Sequence, residues 1–99
     1  MEVKELQSKI NETIELIDKK NKCEHNVNNT FLHLIEELGE VANQLNKPNI
    51  RNEENKKEDL ADELADVLLL TTRIAHLHDV DIEEAIKSKI KKLKKRHNL

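Results

Sequence analysis

Residues 57–78 read KEDLADELADVLLLTTRIAHLH, and this stretch decides the fold. Leu60, Leu64, Val67, Leu68, Ile74 and Ala75 recur at helical spacing, which predicts a helix from about Lys57 to His78. Val67 to Leu70 is the longest uninterrupted apolar run in the chain. A helix apolar most of the way round must be covered on several sides. Acids nevertheless interrupt that cover. At about 100° per residue, Glu63 falls inside the apolar arc, bracketed by Val67, Leu70 and Ile74, with Asp66 at its edge and Asp59 a turn earlier. An unpaired carboxylate facing a core is costly, so it is expected to be protonated, paired or bound to a metal.

Three further helices read out around this one. Val3, Leu6, Ile10, Ile14 and Ile17 form an amphipathic first helix that fades into Lys19-Lys20-Asn21-Lys22, and the polar stretch to Asn29 reads as a loop. A second helix is expected from about Thr30 to Asn46, with Phe31, Leu34, Leu38, Val41 and Leu45 on one face; Pro48 closes it, and Asn49 to Lys56 is a polar connection. Asp79-Val80-Asp81 is a turn, and Asp81 with Glu84 makes a D-x-x-E cap for the fourth helix. That helix carries Ile82, Ile86, Ile90 and Leu93. The reading is one all-α domain over residues 1–99, a four-helix bundle-like subunit. Four helices of this size barely surround one of their own members, so a second subunit is the expected cover for the third helix, giving a homodimer or a dimer of dimers.

Composition agrees. The chain has 99 residues, 36% apolar, against ~45–50% in ordinary globular chains when glycine is included. Fourteen Leu, nine Ile and five Val accompany a single aromatic, Phe31, so the core is thin and aliphatic. Gly39 and Pro48 occur once each, which excludes collagen and Gly/Pro-rich disorder. Seventeen basic against twenty acidic residues leave a net charge of −3, a mixed-sign surface that disfavours nucleic acid as a partner. No run is long enough to span a membrane, and MEVKELQSKI lacks the apolar stretch of a signal peptide. The lone Cys23 reads as an unreactive helix-end residue in a reducing cytoplasm.

The second helix contributes its own acids. Glu37 and Glu40 fall on one stripe with His33 and Gln44, while Glu36 points further round. Two helices, each offering an i, i+3 acidic pair at a core edge, can gather Glu37, Glu40, Glu63 and Asp66. Such a set repels itself unless divalent cations neutralise it, and all-oxygen donors suit Mg²⁺ or Mn²⁺. A di-iron bundle would carry Glu-x-x-His, which occurs nowhere here. Asp62, Glu53 and Glu54 read as solvated surface. On the fourth helix Lys89, Lys92 and Arg96 form a stripe beside Ile86 and Leu93 that is suited to phosphate. Acids that gather metal and bases that gather phosphate together point to a metal–phosphoanhydride substrate.

These residues resemble a known family. Leu34-Ile35-Glu36-Glu37-Leu38-Gly39-Glu40-Val41 is similar to the E-E-x-x-E signature of MazG-like, all-α nucleoside triphosphate pyrophosphatases, and Glu63-x-x-Asp66, after 22 intervening residues, resembles its E-x-x-D partner. Lys89-x-x-Lys92-x-x-x-Arg96 resembles the family's K-x-x-K-N-x-x-R element, with Leu93 where many members have Asn, and Asp81-Ile82-Glu83-Glu84-Ala85 echoes the opening of its last helix. The resemblance covers about residues 30–96. It implies Glu37, Glu40, Glu63 and Asp66 as metal ligands, Glu36 as a further catalytic acid, and Lys89, Lys92, Arg96 and His33 on the substrate side. The implied reaction is Mg²⁺-dependent cleavage of a nucleotide between its α and β phosphates, in a housecleaning role. A phosphoribosyl-ATP pyrophosphatase is the near variant. A non-catalytic helical dimerisation or nucleotide-binding module is the reading from a different class, and Leu93 and the scarcity of aromatics favour it.

Overall fold

The computed structural model describes residues 2–47 and 56–99. It contains α1 (Val3–Asn21), α2 (Val27–Asn46), α3 (Lys57–Leu77) and α4 (Ile82–Arg96), with no strand among the described residues. Pro48 and most of the polar connection, with Glu53 and Glu54, lie outside the described residues. No helix of the described residues is long and apolar enough to cross a membrane.

Local chemistry explains the helix ends. At α1, Lys22 turns into the left-handed region (φ 54°) and its backbone N–H reaches Asp18 O. α2 opens three residues before the apolar pattern does, because the Asn26 side chain accepts the Asn29 N–H at 3.0 Å. At α4, Asp81 accepts the Glu84 N–H at 3.1 Å, as its D-x-x-E spacing predicts. The Gln7 side chain spans the turn before α4, donating to Val80 O at 2.9 Å and accepting the Ile82 N–H at 3.0 Å. This ties the start of α4 to α1.

α2 and α3 form the most extensive helix pair; α1 lies on α3, and α4 packs against α1. The predicted apolar face of α2 divides in two. Thr30 and Gln44 are buried and Leu34, Glu37 and Val41 half-buried, whereas Phe31, Ile35, Leu38 and Leu45 face outward. On α3, Leu70 is buried but Leu64 and Leu68 are exposed. Ile14, Leu70 and Ala75 are the only buried apolar side chains among the described residues. The Cα radius of gyration is 16.2 Å, against ~13 Å for a compact chain of this length. The chain therefore leaves much of its apolar surface unburied; of the run Val67–Leu70, Leu68 is exposed, Val67 and Leu69 half-buried and Leu70 buried.

Polar ties do much of the internal holding. Arg73, 6% exposed, donates from Nη1 to Asn11 Oδ1 and from Nε to His25 O at 3.3 Å, linking α3 to α1 and to the segment before α2. Arg73→Met is expected to cost ~1–3 kcal/mol, the scale for a buried acceptor left unpaired. A lower urea midpoint would register it, with the exposed Lys95→Met as a control expected within ~0.5 kcal/mol of wild type.

Candidate metal centre

Glu37 faces inward from α2, while Glu63 and Asp66, an i, i+3 pair, face it from α3. All three are half-buried, and one carboxylate oxygen of each lies within 4.8 Å of the others. A hydrogen bond to Glu37, burial, and the charges of Glu37, Glu40 and Asp66 push Glu63 from an ordinary 4.5 up to about 7. Burial, with the charges of Glu37 and Asp62, also raises Asp66, and His33 opposes the rise. His33 Nε2 lies 3.3 Å from Glu37 Oε1, one turn away on α2. A proton shared between Glu63 and Glu37 thus relieves part of the repulsion that a divalent cation would remove. Oxygen-only donors from two packed helices fit Mg²⁺ or Mn²⁺.

The other expected site residues are placed differently. Glu40 is exposed, one turn along α2 from Glu37; its charge reaches Glu63, but it lies outside the three-carboxylate set. Glu36 and Asp59 are exposed and also outside it. The charged groups that shift Glu63 are Glu37, Glu40 and Asp66, and those that shift Asp66 are Glu37, Asp62 and His33. Lys89, Lys92 and Arg96 are exposed on α4, and Ile86, Ile90 and Leu93 beside them are exposed too. Its place beside Ile86 and Leu93, on the apolar face predicted for this helix, implies that the basic stripe borders the core. Within this chain it does not, because α4 packs on α1.

A cavity of about 280 Å³ adjoins the acids, sharing Glu37 and Asp66 with them and lined otherwise by Ile14, Ile17, Leu69, Leu70, His25 and His33. His25 lies in the polar stretch up to Asn29, where the sequence predicts a loop and no site residue. The Asn26-x-x-Asn29 cap was the available signal that structure begins there. Cys23, also in that stretch, is exposed, with its thiol pushed up by burial and by a 3.5 Å bond to Asp18, so it is not an activated nucleophile.

The raised Glu63 has a consequence for stability. Its folded pKa of about 7 exceeds the ordinary 4.5, so between those values the folded chain holds a proton that the unfolded chain has lost. Metal-free protein should therefore lose stability as pH rises from 4.5 through 7 and level off above that. Asp66 acts in the same direction. Thermal melts across this range should show the fall, and millimolar Mn²⁺ or Mg²⁺ should shrink it by binding the native, deprotonated cluster.

The geometry is matched by kinship. The family model of the MazG nucleotide pyrophosphohydrolase domain matches residues 25–99, which include α2, α3, α4 and every acid of the cluster, and leave α1 outside. No curated protein and no solved structure matches the chain significantly. With both acidic motifs converging on one point inside the matched region, the chain belongs to the MazG nucleotide pyrophosphohydrolase family.

Proposed function

We propose that this chain is a Mg²⁺-dependent enzyme that cleaves nucleoside triphosphates between the α and β phosphates, releasing a monophosphate and pyrophosphate. The observation that carries this reading is the half-buried set Glu37, Glu63 and Asp66 in a chain of this family. A structural scaffold gains nothing from three acids facing one another at a helix interface. These three would hold the cation, with Glu40, a turn away, completing the set. When bound, the cation polarises phosphoryl oxygens and lowers the pKa of the attacking water. Glu36, exposed at the neighbouring position, is available to orient that water. Mn²⁺ would serve in place of Mg²⁺. A housecleaning role in the cytoplasm, clearing surplus or non-standard nucleotides, suits such an activity.

The same reading includes a homodimer. The outward stripe Phe31, Ile35, Leu38 and Leu45, with Leu64 and Leu68, supports a second copy as its cover. Since α4 packs against α1 while the acids lie between α2 and α3, Lys89, Lys92 and Arg96 are proposed to meet the phosphates held by the other copy.

Pyrophosphate release from a panel of ribo- and deoxyribonucleoside triphosphates, with and without Mg²⁺, tests the activity. Glu63→Gln should lower turnover at least ~100-fold, because metal-site residues act as a unit. Arg96→Ala should cost ~1.5–3 kcal/mol of triphosphate binding, the scale of a bond to a charged group. At substrate far below saturation, where both variants are impaired, mixing and re-annealing them should restore up to about a quarter of wild-type activity, since half of a random dimer population pairs one intact acidic set with one intact stripe. No recovery would place the stripe with its own chain's acids. Cation and nucleotide binding without pyrophosphate release would favour the non-catalytic module instead.

A further inference from the structure

We propose that His25 reads the edge of the nucleobase in the cavity beside the carboxylates, selecting bases that carry an exocyclic amino group there. The proposal rests on the nucleotide reading above and adds the substrate's base to it.

The cavity suits a base. Its volume of about 280 Å³ falls at the small end of the ~300–1,000 Å³ of ligand pockets, the size for one ring system rather than a whole nucleotide. Ile14, Ile17, Leu69 and Leu70 supply apolar walls. His25 and His33 add two rings inclined by only 25° with centroids 6.2 Å apart, so a base stacked on the face of His33 lies nearly parallel to the His25 ring and can meet it edge to edge. Because the cavity shares Glu37 and Asp66 with the acidic cluster, a nucleotide whose phosphates lie at the cluster has its base within reach of the cavity.

His25 is held for this purpose by every polar group but one. Its backbone N–H donates to Asp18 Oδ2 at 2.8 Å, its carbonyl accepts from Arg73 Nε at 3.3 Å, and its ring Nδ1 lies 2.6 Å from Asp18 Oδ1. Asp18 and Arg73 are both buried. Burial works to raise the Asp18 pKa, but the hydrogen bonds and charge of His25 outweigh it and hold Asp18 below its ordinary 3.8. Asp18 is thus a carboxylate that can only accept, so Nδ1 carries the ring proton. Nε2 remains, and in the neutral ring it is an acceptor. It pairs with an amino N–H on a base; a keto oxygen would set two acceptors against each other. Ile14, Ile17 and Asp18 belong to α1, ahead of the residues the family model matches, so this arrangement is a feature of the chain's own first helix.

The test compares, in alkaline buffer where a histidine ring is neutral, nucleotide pairs that differ by amino against keto at the same edge, CTP with UTP and ATP with ITP, by kcat/KM. Binding of CMP and UMP, followed through the ¹⁵N shift of His25 Nε2, gives a readout independent of catalysis. Wild type should favour the amino member at least ~10-fold, the scale of one mispaired buried hydrogen bond. His25→Asn keeps a donor toward Asp18 but removes the ring and Nε2; it should shrink the preference to within ~3-fold while melting temperature stays near wild type. Asp18→Asn should go further. The His25 backbone N–H can only donate, so the new amide must turn its oxygen there and its NH₂ toward Nδ1, moving the ring proton to Nε2 and shifting preference toward the keto member. Equal use of both members by wild type, or an unchanged ratio in both variants, would overturn the proposal. Base-selective binding without pyrophosphate release would leave His25 in its role and remove the catalytic reading, whereas release without base preference would do the reverse.

Discussion

Glu37, Glu63 and Asp66 are pressed within 4.8 Å of one another by the packing of α2 on α3, and three carboxylates so placed cannot all carry their charge at no cost. The rest of the molecule is arranged around that constraint. Glu63 keeps its proton to about 7 because Glu37 hydrogen-bonds to it, and burial with the charges of Glu37 and Asp62 raises Asp66. Hydrophobic packing alone would have placed aliphatic side chains at these positions. The acids sit there at the expense of stability, an arrangement that could hold a cation and that a helix pair built only to be rigid would not need.

The polar interior has a counterpart in an apolar exterior. Asn11, Asp18, Thr30, Gln44, Thr72 and Arg73 are buried, while Phe31, Leu38, Leu64, Leu68 and Ile90 are exposed. Inside the chain, directional hydrogen bonds such as those that Arg73 donates and Asp18 accepts position α1 and the segment before α2. On its surface, the aliphatic stripes leave apolar area facing solvent. This division also explains why α4, polar on most of its circumference, is anchored at its start by Gln7 and Asp81 and is exposed from Glu84 onward.

The acidic centre was legible in the sequence because Glu63 breaks an otherwise apolar arc, and only a few chemistries tolerate that. The helices were legible from period and caps. The faces of α2 were less so. Phe31, Leu38 and Leu45 alternate with Leu34 and Val41 at spacings of three and four, so two adjoining stripes, one inward and one outward, read as a single broad face. Periodicity alone does not separate a residue that packs within the subunit from one that awaits a neighbour. His25 was illegible for a different reason. Its partners Asp18 and Arg73 lie 7 and 48 positions away, and only the packing of α1 on α3 brings them to it. The stripe of Lys89, Lys92 and Arg96 was readable as a pattern, but its distance from the acids of the same chain depends on where α4 packs.

Calorimetric titration of Mg²⁺ or Mn²⁺ into the protein at pH 6.5, in buffers of different ionisation enthalpy, tests the central claim most directly. A cation that replaces the proton on Glu63 should release roughly three quarters of a proton per ion bound, the protonated fraction of a group with a pKa near 7. Glu63→Gln should abolish that release. Binding with no proton released, or with the same release in Glu63→Gln, would contradict the account, because the cation would then sit somewhere other than between α2 and α3.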